Sequence, residues 1–349
     1  MRKELLLKDY DPVSMLSVES HEVLKPKFPV FDAHIHIGAL QMGKEEVPVD
    51  IERMVRELKT AGVYGVVNLK MFWGEPLKRH MDSLKGYEDF IRTFASVDVS
   101  RLEEPGFSAY ADDLVKGFKD MGIGGMKFWK NIGCTLKGSD GKYIRADDDR
   151  LRPVWEAAAK YDLLVLFHIA DPKSFFTPVD ERNEFYESLV DNPDWSFYGD
   201  GRYSFEELME QQDNLISRNP GTTFIIPHVG SCAEDLAWVG AQLDKHPNMY
   251  IDIAARVNLL GRQPYTARDF FIKYQDRILF GTDYSFDADD STHDFYTDHY
   301  RFLETYDEYF RPIRAWGWGQ GRWNICGIGL PDEVLKKLYS ENAMRLLGK

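Results

Sequence analysis

The chain predicts a parallel α/β fold closed into a (β/α)8 barrel. Three observations carry that expectation. Eight runs of apolar, β-branched and aromatic residues recur along the sequence. Segments with helical spacing lie between most of them, which implies parallel strands joined by crossover helices. Several runs end on a histidine, a lysine or an aspartate, and polar groups offered from many strand ends to one point suit a barrel rim. The runs are nearly continuous in apolar residues, which implies burial on both faces. No glycine-rich dinucleotide fingerprint, the usual mark of an open doubly wound sheet, is present.

The elements follow in order. Residues 1–27 are polar and broken by Pro12 and Pro26, and are expected to form an N-terminal arm outside a single barrel domain over 28–349. The first apolar run, 28–35, leads into His34-Ile-His36-Ile-Gly38. A helix is expected near 50–61. Asp50 suits its N-cap, Ile51, Met54, Val55 and Leu58 share one face, and Gly62 suits its stop. Further strands are expected near 63–69, 91–98, 122–129, 162–168, 222–228, 248–254 and 277–283. Leu151, Val154, Trp155 and Ala158 repeat at helical spacing ahead of the fifth. Long insertions, about 170–203 and 284–330, follow the fifth and eighth strands. A barrel places both on its C-terminal face, where long aromatic loops serve as lids or binding loops. The segment 331–347 opens on Pro-Asp, carries Leu335, Leu338, Tyr339 and Leu346, and reads as a closing helix against the barrel wall.

Composition narrows the partners. The 349 residues hold 43 Lys and Arg against 57 Asp and Glu, a formal net charge of −14. That argues against nucleic acid and anionic membrane as partners and for a soluble protein, and it says nothing of the active site, where a small-molecule substrate is expected. The apolar run Leu5–Leu7 is too short for a signal-peptide core, and no stretch approaches ~20 apolar residues. The expected location is the cytoplasm, unless a precursor carried a leader since removed. Three widely spaced cysteines, Cys134, Cys232 and Cys326, point to free thiols rather than a disulfide framework or a zinc knuckle. A homo-oligomer is the default expectation for assembly.

Chemistry concentrates at the strand ends. Residues i and i+2 of a strand point to one side, so His34 and His36 can grip one metal ion. Imidazole suits zinc, iron, nickel or copper better than magnesium or calcium. His168 ends LLVLFH and His228 ends TTFIIPH. A lone histidine on a strand is usually a core residue, but two at equivalent ends are harder to set aside. Asp283 in ILFGTD needs a cation or donors if buried, since an unpaired buried carboxylate costs several kcal/mol; an N-cap role is its other reading. Lys130 and Arg256 are candidate substrate-binding cations. Asp287, Asp289, Asp290, His293 and His299 crowd the last loop and read as a solvated acidic loop, since the spacing matches no calcium loop, with a second metal site as the alternative. Trp316, Trp318 and Trp323 stand among glycines and read either as a cap over a ring-shaped substrate or as packing on the barrel.

Taken together, PVFDAHIHIG, VLFHIAD, FIIPHVG, ILFGTD and LPDEVLKKLYSENAMRLLG resemble the amidohydrolase superfamily over roughly residues 28–347. The likeness is to its amidohydrolase-related branch of metal-dependent hydrolases and decarboxylases. That resemblance implies a distorted TIM barrel holding a divalent metal, most often zinc, through His34, His36, His168 and Asp283. It places His228 beside the metal, either orienting or polarising the substrate or binding a second ion. Asp283 would take a proton from the metal-activated water and return it to the leaving group. Lys127, in GGMKFW, would bridge two metals if carboxylated; it could otherwise contact a substrate carboxylate or be structural. One metal is therefore expected, or two. The resemblance implies hydrolysis of an amide, ester or lactone of a small carboxylated molecule, with non-oxidative decarboxylation as the alternative on the same scaffold. A barrel that binds ligand without turnover is the rival from another class.

Overall fold

A computed structural model of the protein describes residues 4–38, 49–286, 292–312 and 321–348. Nine strands form one parallel sheet: β1 (Val30–Ile37), β2 (Val63–Leu69), β3 (Ile91–Ala95), β4 (Gly125–Phe128), β5 (Leu164–Phe167), β6 (Phe224–Ile226), β7 (Met249–Asp252), β8 (Ile278–Leu279) and β9 (Tyr284–Phe286). Neighbours follow chain order from β1 to β8, and β9 lies on the other side of β1. The ninth strand is the eighth expected run continued. β8 pairs with β7, and β9 pairs with β1. The link between them bonds to β1 as well: Ala33 N donates to Phe280 O at 2.8 Å and Asp283 N to His34 O at 2.8 Å. The two ends of the sheet therefore meet and the barrel closes. The break in strand eight coincides with Asp283, whose φ of 65° leaves the extended region.

A helix follows every strand of the barrel except β8, which runs on into β9, from Ile51–Thr60 after β1 to Thr292–Glu304 after β9. The first is held as its sequence predicts. Asp50 accepts from Arg53 N at 2.9 Å, Met54, Val55 and Leu58 are buried, and Gly62 turns the chain at φ 88°. A Cβ there would lie 2.4 Å from the Pro26 ring, so only glycine fits. The helix Thr292–Glu304 occupies part of the expected insertion 284–330. Residues 4–29 contain one 3-10 turn, Leu7–Asp9, and are tied down through His21 N to Asp307 (2.7 Å) and Lys27 N to Glu304 (2.9 Å). The three cysteines are unpaired. Among the described residues no helix is long and apolar enough to cross a membrane.

Apolar side chains fill two layers. The larger core lies between sheet and helices. The smaller fills the barrel: Phe31, Ala33, Val67, Leu69, Phe94, Leu166, Ile225 and Leu279, with Ala343, Met344, Leu346 and Leu347 packed on them. The C-terminal segment thus departs from the expected closing helix on the wall. Its first half does pack there, through Leu335, Leu338 and Tyr339. Its second half plugs the end of the barrel where the strands begin: Leu347 touches Gly124, just before β4, and Asn342 bonds Gln275 O and Ile278 O. An interior without this plug would leave those apolar groups wet, at roughly 25 cal/mol per Å².

A bulge in β1 sets the site. Asp32 pairs with Val66 but Ile35 pairs with Asn68, so three steps on β1 match two on β2. The extra residue shifts the alternation. Phe31 and Ala33 face the barrel interior, and His34 and His36, of opposite parity, face the rim above them. Asp32 fixes this geometry from the outer side. Its carboxylate accepts from His34 N (2.9 Å), Thr282 N (3.2 Å), the Thr282 hydroxyl (2.6 Å) and the Tyr296 hydroxyl (2.7 Å). Burial pushes its pKa up to about 6, against the pull of those donors. Asp32→Ala orphans two buried hydroxyls and should lower stability by about 3 kcal/mol, since each unmet group costs ~1–3 kcal/mol. Denaturant titration measures it; a change below ~0.5 kcal/mol would contradict the role.

Candidate metal centre

Four histidines stand on one rim with Nδ1 or the backbone already engaged. His34 Nδ1 meets Asp252 Oδ2 at 2.7 Å, His36 Nδ1 meets Leu69 O at 3.1 Å, and His228 Nδ1 meets Ala254 O at 2.8 Å. Carbonyl and carboxylate oxygens only accept, so each Nδ1 carries the hydrogen and each Nε2 is left to face the rim. Nε2 of His34, His168 and His228 is buried with no hydrogen-bond partner among the described residues.

Asp283 comes up against these nitrogens. Its Oδ1 lies 3.1 Å from His36 Nε2 and 3.2 Å from His34 Nε2. Ligand atoms of one His34, one His36 and one Asp283 group all fall within 4.8 Å of one another. Two ligands on one zinc-type cation at bonds of ~2.1 Å are themselves about 3–3.4 Å apart. The electrostatics agree. Burial pushes His36 down to about 4, so a neutral nitrogen lone pair faces a carboxylate oxygen, an arrangement that calls for a cation between them. Burial opposes a charge on His34, yet Asp252 and Asp283 outweigh it and raise its pKa. Burial would raise Asp283 too, but His34, His36 and His228 hold it well below the usual carboxylate range. The donor set fits a divalent metal.

The other expected ligands stand around this trio. His168, one residue past β5, lies with its ring 4.3 Å from that of His228, which is 5.2 Å from that of His34. Its Nε2 is 3.3 Å from Asp171 Oδ1, and burial holds its pKa near 4. His34, His36 and Asp283 are thus brought together directly, with His168 and His228 as a second pair beside them. Lys127 points into the barrel from β4 and is fully buried. Burial pushes its amine down to about 8, although Asp283 and Asp252 pull the other way.

Backbone strain aims these groups. His228, Val229, Ser231, Ala255 and Asp283 all have φ between 53° and 65°. Such non-glycine residues cost on the order of 1–3 kcal/mol each, and a β-branched valine there is a true outlier. They follow the ends of β6, β7 and β8, and three of them, His228, Ala255 and Asp283, line the cavity above the rim.

Above the rim is a cavity of about 360 Å³, within the range of small-ligand sites. Trp129, Phe175, Phe185, Trp195, Tyr284 and Phe295 give it flat walls. Phe175 and Trp195 stack at 15°, so the insertion after β5 does reach the site. Lys130 and Arg256 enter from β4 and β7. Both converge on Asp171, Lys130 in a close ion pair and Arg256 at 3.9 Å. Burial would raise Asp171, but Lys130, His168 and Arg256 hold it far below its ordinary value. Trp323 does not itself line the cavity but backs its wall, packing edge-on against Phe185 and donating to Asn258 O, both of which do. Trp316, Trp318, Asp287, Asp289, Asp290 and the side chain of His293 lie outside the described residues.

Three residues were not found from sequence. Asp252 ends β7 just as Asp283 ends strand eight; a carboxylate after an apolar run was the signal, and NMYIDIA carries it. Asp171 was visible in HIADP. His299 departs from the expected solvated acidic loop: it is buried on the helix Thr292–Glu304 and lines the cavity. The spacing of Phe295, Tyr296, His299, Tyr300 and Leu303 is helical and apolar, which corrects the loop reading.

Asp252 allows a sharp expectation. Its Oδ1 accepts from His228 N (2.9 Å) and Ala254 N (3.0 Å), while Oδ2 takes the His34 Nδ1 hydrogen. Asp252→Asn keeps the first two bonds but presents an N–H to His34, moving its hydrogen to Nε2, the atom a cation held by this cluster would need free. Loss of such an orienting partner weakens metal binding about 10–100-fold. Competition with a chromophoric chelator measures this; unchanged affinity would refute the tautomer assignment.

The amidohydrolase family model matches residues 32–349. No curated protein matches the chain. Solved structures with the same fold include 2,6-dihydroxybenzoate decarboxylase from Rhizobium, at 16% identity, covering 92% of this chain and 99% of that one, TM-score 0.54. A dihydroxybenzoic acid decarboxylase from Polaromonas, with bound manganese and the inhibitor 2-nitroresorcinol, is 14% identical over 92% and 97% of the two chains, TM-score 0.57. A probable 2-pyrone-4,6-dicarboxylic acid hydrolase from Acinetobacter baumannii, with citric acid bound, is 12% identical over 92% and 100%, TM-score 0.51.

Proposed function

The chain belongs to the amidohydrolase family, and from that premise we propose a metal-dependent hydrolase acting on an amide, ester or lactone of a small, planar, carboxylated molecule. The observation that carries the proposal is the convergence of two histidine nitrogens and the Asp283 carboxylate on one point, inside an aromatic-walled cavity. The family generally works with a divalent metal; zinc is the ion we assign here, held by His34, His36 and Asp283 with His168 completing the set. When bound, the cation supplies Lewis acidity, polarising a carbonyl and lowering the pKa of water towards ~7.

The chain's own residues do the rest. Asp283 is kept ionised by its histidine neighbours, so it can accept a proton from water and return it to the leaving group. His228 donates its Nδ1 hydrogen to Ala254 O, and burial keeps it far from protonation. It therefore offers a lone pair and not a proton. That supports a ligand or hydrogen-bond-acceptor role over the polarising role. Lys130 and Arg256 hold the substrate carboxylate, with Asp171 balancing one of the two charges. The cavity walls exclude water and fix the plane of the ring. Lys127, buried beside the trio, either bridges a second ion as its carbamate or meets the carboxylate; a metal count with and without bicarbonate separates the two.

Non-oxidative decarboxylation is the second reading. The paired cations in an aromatic cavity favour it, because they would hold a planar acid with its ring between the walls. The test is product chemistry in 18O-enriched water, over a panel of aryl amides, esters, lactones and hydroxylated aromatic acids. One 18O atom in the product supports hydrolysis. Carbon dioxide release without label supports decarboxylation. Metal-bound protein inert to the whole panel would favour a binding barrel.

A further inference from the structure

The N-terminal arm turns its polar groups inward and its apolar side chains outward, the reverse of a segment packed on its own barrel. Residues 11–20 are exposed without a break. The groups that tie the arm down are polar. His21 N and Nδ1 meet the two Asp307 carboxylate oxygens at 2.7 and 2.5 Å, and Ser20 Oγ accepts from Arg301 at 2.9 Å. Lys27 N donates to Glu304 Oε1, and Arg322 donates to Leu7 O and Tyr10 O. Val23 packs inward on the core. The other large apolar side chains do not. Val13 is 82% exposed, Met15 93% and Leu16 62%, and six more between Leu5 and Leu24 are 41–62% exposed. These nine are nearly half of the nineteen large apolar side chains so exposed among the described residues, so the exposure is concentrated in one short segment.

Size and charge select what covers them. Together the nine present roughly 1,000 Å² to water, whereas the largest apolar patch of a typical monomer is ~300–600 Å². Each partner gives ~800 Å² to a standard protein interface, so one arm suffices for one side of it. From Glu4 to Lys27 the arm holds five carboxylates against three lysines, and the whole chain stands at −14. Neither an anionic membrane nor nucleic acid is drawn to such a segment. A second copy brings an apolar face of the same size and chemistry, and two-fold pairing of identical faces is the commonest form of assembly. Exposed aromatics flank both anchors: Tyr306 and Tyr309 beside Asp307, and Tyr186 beside Glu187, which Arg322 also holds.

We infer that the outward face of residues 5–24 is an interface with a second copy of this chain. Arg301 and Glu304, which hold the arm, belong to the helix whose Phe295 and Asp298 line the cavity, so pairing braces that wall from outside. The inference is independent of the reaction catalysed.

Sedimentation velocity of the full-length protein at tens of micromolar measures the assembly, and mild peroxide followed by peptide mass spectrometry measures the oxidation rate of each methionine. Wild type should sediment at no less than twice the 40.4 kDa of one chain. Met15 is 93% exposed and Met121 39%, so a lone chain oxidises Met15 faster; in the assembly Met15 should be the slower of the two. Val13→Asp with Leu16→Asp puts charge on the shared face. It should weaken association at least ~100-fold and return Met15 to the faster rate. Tyr265→Ser, at a side chain 85% exposed on the helix Pro264–Lys273, should leave both readouts unchanged. Metal content and far-ultraviolet dichroism of each variant check that the barrel is intact. The inference is overturned if wild type sediments as a single chain, if the double aspartate variant stays assembled, if Tyr265→Ser dissociates the protein equally, or if Met15 remains the faster in the wild-type assembly. A single chain that co-floats with phosphatidylserine vesicles would give the arm to a membrane surface instead.

Discussion

Replacing His34 and His36 together by alanine empties the metal site and leaves the barrel folded. These two nitrogens and Asp283 Oδ1 form the tight cluster, so the double variant removes two of its three members. Affinity should fall by far more than the ~10–100-fold that loss of an orienting partner produces. Stability should fall less. Asp252 loses the His34 ring but keeps His228 N and Ala254 N as donors, and the bulge in β1 is still held by Asp32 through backbone and hydroxyl groups. Elemental analysis of purified protein is the measurement. Full metal content in the double variant would mean that the cation sits elsewhere, with His168 and His228 as the first place to look.

Asp283→Asn should cut the rate of the chemical step by about 10²–10⁴-fold, the usual worth of a positioned proton acceptor. Asparagine is the informative choice. It tolerates the left-handed φ of 65° at this position, so the backbone that closes strand eight is preserved. It keeps one oxygen for the cation but cannot take a proton. A large loss of kcat with some metal retained supports the base; retained metal and an unchanged rate would assign that role to another group. Because the Asp283 carboxyl is held well below its ordinary range, the wild-type rate should not show an acid limb from this residue near neutral pH.

Both expectations rest on residues legible in the chain itself. The eight apolar runs needed only composition and spacing to be seen, and each strand of the barrel falls within or beside one of them. A buried parallel strand announces itself because both of its faces are apolar, and a polar residue at its end then stands out. That logic found His34, His36, His168, His228, Asp283 and Lys127. It should also have found Asp252, which has the same signature at the end of β7. His299 escaped for a different reason. It lies on a helix within a stretch crowded by aspartates, and charge density obscured the apolar spacing that places it inside.

What sequence alone determined is the plan: an α/β barrel, the strands that build it, and the rim residues fit for a cation. These follow from local patterns, because burial and hydrogen bonding constrain each strand wherever it sits. Tertiary structure decided the rest. The β1 bulge that lets residues of opposite parity share one interior depends on Asp32 reaching Thr282 and Tyr296, some 250 residues away in the chain. The tautomers of the rim histidines depend on oxygens of other strands, and so does the exposure of a lone pair, not a proton, on His228 Nε2. The pairing of Lys130 and Arg256 with Asp171, and the place of His299 in the same cavity lining, join segments that no pattern in the chain links. Directional bonds between distant segments exist only once the barrel has closed, so only the closed barrel could assign them.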